Sequence, residues 1–246
     1  MNYLNRQTLD LGADSQEDAQ MSTESLRLRE RQQLAQLESL NTMVLNTTDH
    51  DDVEPVLKQA ELRHALAQTQ VELGQGKAAW DHAQAAFNVY LNQQQWELAA
   101  ACCDTLFRCN LDNALVALGH GLWLSITFPV EVSLTISQLQ HVIDETPEES
   151  DGAAVAAAMA AYVNEIRGNA QKNDDIALAV GQMLNDVARR HSQVNTQDGF
   201  DQWFVRLELD NPSKLVVRMR NIIDVLVQDN WWFDRAALQA LIPQEE

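Results

Sequence analysis

With 246 residues, 17 Lys and Arg against 36 Asp and Glu, and a net charge of -19, the chain has length for one large domain or two small ones. That charge has the wrong sign for nucleic acid or an anionic membrane surface, and it favours solubility and a basic partner. No window reaches the roughly 18–20 apolar residues of a spanning helix. The N-terminus lacks a secretory layout, and Cys102, Cys103 and Cys109 do not read as a disulfide framework, so a reducing cytoplasm is the expected compartment.

Residues 1–20 are polar and acidic and read as a flexible tail. Residues 21–246 are expected to form a single all-helical, repeat-like domain. Its first helix starts near Ser22, with Leu26, Leu34, Leu37, Leu40 and Val44 on one side. Residues 46–55 are a turn-rich linker, in which Asp49, Asp51 and Asp52 are cap candidates for the next helix.

From Leu57, apolar residues recur at Ala60, Leu62, Ala65, Leu66 and Leu73, steps that mark one buried helix face. The pattern stops at Gly74-Gln75-Gly76, where glycine supplies the positive φ of a helix end. A second pattern follows in Ala79, Trp80, Ala83, Ala86, Phe87, Tyr90 and Leu91. So short an interruption makes the two helices antiparallel neighbours. Ala83 and Ala86 permit close backbone approach, with Trp80 and Phe87 filling the space a turn away.

A turn glycine (Gly74 or Gly76), a small residue in the second helix (Ala83) and an aromatic four residues on (Phe87) resemble the tetratricopeptide repeat (TPR) family. Trp96 and Ala100 take the early aromatic and small positions of a next unit. Leu62, Asn110 and the lack of a proline after Leu91 depart from the pattern. The resemblance covers about the central third of the chain. It implies stacked helical hairpins, in a right-handed superhelix or a less regular bundle, with a groove for peptides or partner subunits.

Trp96 to Cys109 is the next helix, and Asn110 to Asn113 turn and cap. A strongly apolar helix from Ala114 to about Ile126 is expected deep in the core. Pro129 precedes a helix from Val130 to Asp144. Thr146-Pro147-Glu148-Glu149 reads as a capping box with proline at its first helical position, opening an alanine-dense helix. Turns at Gly74, Asn110 and Pro147 recur at roughly the length of a two-helix repeat. A helix from about Asp174 ends in Arg189-Arg190-His191, where cations suit the C-terminal dipole. Phe200, Trp203, Phe204 and Leu207 mark another, Asn211-Pro212 caps the next, and Trp231-Trp232-Phe233 opens a last helix ended by Pro243. About nine helices are expected and no strand.

The one metal-like spacing is Glu61-x-x-His64; carboxylate-bridged di-iron bundles need a second such pair, and Gln138 precedes His141 where a glutamate would stand. The cysteines read as core. Gly119-His120-Gly121 lies inside an apolar helix and is no phosphate loop. No catalytic residue, metal ligand or cofactor is assigned. The residues that stand out are Trp231, Trp232 and Phe233, three adjacent rings that one surface cannot bury together on a helix. Near them Lys214, Arg218 and Arg220 form a basic island, which meets an acidic patch on a partner or pairs with Asp224 and Glu208.

The expected function is non-catalytic: an adaptor or assembly factor that binds another protein or peptide, and neither nucleic acid nor membrane, with room for a homo-oligomer. The alternatives are a helical-bundle metal protein or enzyme using Glu61 and His64, and a structural subunit of a larger complex.

Overall fold

A computed structural model describes the backbone of residues 11–46, 53–168 and 174–242, with side chains for 22–42, 53–168 and 175–242. Among the described residues the chain is all-α, with eleven helices where about nine were expected, and no strand. They are α1 (Leu11–Asn46), α2 (Val53–Glu72), α3 (Gly76–Asn92), α4 (Trp96–Arg108), α5 (Ala114–Thr127), α6 (Val132–Glu145), α7 (Asp151–Arg167), α8 (Asp174–Ser192), α9 (Gln197–Arg206), α10 (Pro212–Val227) and α11 (Arg235–Gln239). Helix α1 begins inside the stretch read as a tail. Residues 1–10, and the linker's Asp49, Asp51 and Asp52, lie outside the described residues.

The turns repeat one chemistry. After α2, the Gln75 N–H reaches Gln70 O (2.8 Å) and the Gly74 N–H reaches Val71 O (3.0 Å), with Gly74 at φ 71°. This is a Schellman closure, and it consumes carbonyls that the helix end would leave unpaired. After α3 the same pair of bonds forms around Gln94, at φ 54° without a glycine. Gly76 has a further reason to be glycine, because a Cβ there would run into the Cys109 carbonyl.

Helices α1 to α8 each pack on the next, and α2 also touches α4, as α6 touches α8. Helix α10 then folds back across α5 and α7. That crossing explains two sequence signals. Helix α5 is apolar all round because α4 and α6 cover one side and α10 the other. In α7 every residue from Ala153 to Ala160 is buried, and its small side chains let both α6 and α10 come close. The glycines of α5 show how tight the sandwich is: a Cβ on Gly119 would lie 2.5 Å from Val227 Cγ2, and one on Gly121 2.6 Å from Gln138 Nε2 and 2.9 Å from Cys103 Cβ. On α10, Leu215, Met219, Ile223 and Val227 are buried at every fourth position, each worth roughly 1.5–3 kcal/mol relative to exposure.

Long-range polar contacts finish the helix ends. Arg167, at the end of α7, donates to Ser125 O (2.6 Å) and Ile126 O (2.8 Å), the last carbonyls of α5. Arg190 on α8 does the same for Ile143 O of α6 (2.8 Å).

Two boundary expectations are corrected. Helix α7 starts at Asp151, capped by Ser150, whose Oγ accepts the Gly152 N–H (3.3 Å). The Thr146 hydroxyl instead donates back to Val142 O (2.6 Å) at the end of α6 and caps nothing in α7. Trp231-Trp232-Phe233 is not helical: the following helix opens only at Arg235, where Asp234 Oδ1 accepts the Ala236 and Ala237 N–H groups (2.9 and 3.2 Å).

Candidate aromatic docking site

Helix α10 ends in a tight reversal. Gln228 takes φ 52° and ψ -125°, and the Asn230 N–H bonds Val227 O (3.0 Å). These are the angles of the first central residue of a type II′ turn, a position that belongs to glycine. A side chain held there costs on the order of 1–3 kcal/mol. Residues 229–242 then run as a strap over α5 and α3.

The strap is fixed by a histidine inside the core. His120 on α5 is fully buried. Its Nδ1–H donates to Val116 O (2.7 Å), which leaves Nε2 as an acceptor for the Trp232 N–H (3.0 Å). Burial pushes its pKa down to about 4, so the ring is neutral and this single tautomer serves both partners. The Trp232 ring stacks on the imidazole (4.2 Å, 15°) and meets Trp80 and Phe87 edge-on at 6.1 and 5.5 Å. Phe233 lies 5.2 Å from Trp123, and Trp231 lies 6.2 Å from the same ring. Such pairs are worth about 0.5–1.5 kcal/mol each beyond the area they bury. The Arg235 guanidinium sits 4.0 Å over the Trp231 ring and bonds Asp224 Oδ1 (2.8 Å).

The rings of Trp231, Trp232 and Phe233 stay half-buried. The open sides of Trp231 and Phe233 form one wall of a cleft of about 480 Å³, lined also by Trp123 and Arg220 from the helical body and by Asp234, Arg235 and Gln239 from the strap. Arg220 is three-quarters exposed, and its Nε is 3.8 Å from Asp224 Oδ2, too far for a hydrogen bond. One carboxylate is thereby shared by two guanidiniums beside aromatic walls.

The structure thus brings Trp231, Trp232 and Phe233 together and leaves Lys214 and Arg218 elsewhere. Lys214 pairs with Glu208, and Arg218 donates to Leu207 O and to Asp151 Oδ2 (3.0 Å). Lys214 stands in the first turn of α10 and Arg218 near its middle, two residues before the cleft's Arg220, and their charges are spent on the chain itself. Sequence reasoning missed His120, Trp123 and Arg235. One signal was present, a lone imidazole between two glycines in an otherwise apolar helix.

Glu61 is exposed on the α1–α2 groove, whereas His64 is buried against Thr105 Oγ1 (3.0 Å), so the two side chains do not converge. Among the described residues no group of three or more His, Cys, Asp or Glu side chains is placed to hold a metal ion. Burial raises all three cysteine thiols, Cys109 to about 11, which disfavours the reactive thiolate. His191 lies 3.2 Å from Asp151 Oδ1 and 2.7 Å from Ser192 Oγ, but its Nδ1 also accepts the Trp203 indole N–H (3.2 Å). With that lone pair shared, the line of carboxylate, imidazole and hydroxyl serves as a joint between α7, α8 and α9.

No protein-family model, curated protein or solved structure matches the chain. No helix among the described residues is long and apolar enough to cross a membrane.

Proposed function

We propose that this protein is a non-catalytic adaptor or assembly factor that binds another polypeptide, with its stacked hairpins acting as a TPR-like scaffold and the C-terminal aromatic cleft as the contact. The observation that carries this reading is the open face of Trp231 and Phe233 beside Arg220 and Arg235. Aromatic rings and arginines are the side chains that dominate protein–protein contacts, and here they are held at the surface by a buried latch. The strongly acidic remainder of the chain favours a partner with a basic surface around the segment that enters the cleft.

The test is recovery of co-purifying protein from native cells by the wild type and by Trp231→Ala combined with Arg220→Glu. Both substitutions keep the Trp232 N–H bond to His120, and Trp231→Ala removes only the edge-on ring at 5.2 Å from the imidazole. The expected result is at least a tenfold loss of the co-purifying protein, with an unchanged circular dichroism spectrum. Equal recovery by the two proteins would remove the cleft from the function.

A further inference from the structure

The cleft is built from two parts that do not share an element. Trp123 and Arg220 belong to the helical body; Trp231, Phe233, Arg235 and Gln239 belong to the strap. Their only covalent joint is the exposed turn Gln228-Asp229-Asn230, and Gln228 there holds a backbone conformation suited to glycine. The strap has little of its own to keep it in place: α11 is five residues long and buries none of them. Its hold on the body is one backbone hydrogen bond to His120, the faces of three half-buried rings, the partly buried Leu238 and Ile242 packed on the core, and the Arg235–Asp224 pair. Beneath it lie His120 and Phe87, fully buried while the Trp232 and Phe233 rings cover them.

We infer that residues 229–242 are a hinged strap that opens without the rest of the fold, and that the docking cleft exists only while the strap is shut. Gln228 sets that balance. Strain in the turn favours release, while the His120 bond and ring contacts favour closure. A polypeptide seated in the cleft touches both parts, so it binds the closed form alone and draws the strap shut; by linkage, whatever favours closure strengthens binding by the same factor. This rests on the cleft being the docking site, but the opening itself is measured without any partner.

Amide hydrogen exchange of the full chain, read by mass spectrometry, tests it. Strap amides are expected to exchange through local opening, well ahead of those in α5 and α7. Gln228→Gly relieves the turn and slows strap exchange roughly three- to tenfold, the gain being trimmed by the greater freedom of glycine in the open state. Gln228→Val, whose branched side chain resists positive φ, speeds it. Rates in α5 and α7 stay as they were in both variants. Strap amides that exchange only with the whole fold, or that ignore both substitutions, overturn the hinge. If the hinge fails while the Trp231→Ala, Arg220→Glu protein still loses its partner, the cleft stands as a rigid site. If the hinge holds and recovery of the partner is unchanged, the docking reading is the one that falls.

Discussion

His120 concentrates several demands in one side chain. It must be neutral, since its Nε2 accepts the Trp232 N–H, and burial holds its pKa near 4 against 6.5 for the free side chain. Above pH 6.5 both folded and unfolded chains are neutral at this site, and it adds no pH dependence. As pH falls from 6.5 toward 4 the unfolded chain takes up a proton that the folded chain refuses, so stability drops; the full difference is about 3 kcal/mol. His64, lowered for the same reason, acts in the same direction. Urea unfolding at pH 7 and pH 5 checks this. His120→Gln is expected to lower stability at pH 7 and to flatten the slope between the two. A slope as steep as the wild type's would place the titration elsewhere.

At the scale of elements, close approach distinguishes one helix from another. Gly119 in α5 meets Val227 and Leu226 of α10, so Gly119→Ala forces the helices apart and is expected to cost about 1–3 kcal/mol. Gly181 in α8 has nothing within 4 Å of a built Cβ, so Gly181→Ala is expected to add about 0.5–1 kcal/mol through helix propensity. Thermal unfolding of the two variants side by side separates packing from backbone effects. Periodicity made the helices legible: the α2–α3 hairpin, the buried α5 and the Asn211 cap are all written locally. What was not legible lies between elements. Thr146 and Ser150 both offer a hydroxyl for a cap; Ser150, at the helix start, accepts the Gly152 N–H, while Thr146 donates to Val142 O and finishes α6. The rings at 231–233 announced themselves as unusual, yet the receptor of Trp232 on α3 and α5 lies 112 residues or more away in sequence. Lys214 pairs locally with Glu208, one of the two readings the sequence offered, whereas Arg218 is held by Asp151, 67 residues away.

At the scale of the molecule, a row of helices touching only their neighbours would behave as a one-dimensional array, free to melt from either end. Helix α10 prevents that here. By crossing both α5 and α7 it joins residues near the C-terminus to the middle of the row, and losing it would uncover the small side chains of α7 together with Gly119 of α5. Arg167 and Arg190 add shorter cross-links, each joining a helix to the one two before it. Consider the protein held by its two ends in an optical trap. An open row would lengthen in small steps, one hairpin after another. With α10 laid across its neighbours, the load passes into α5 and α7 together. The expected trace has a minor early extension as the strap comes away, then one large rip that takes α5 through α10 at once. A staircase of equal small steps would mean that α10 bears no tension.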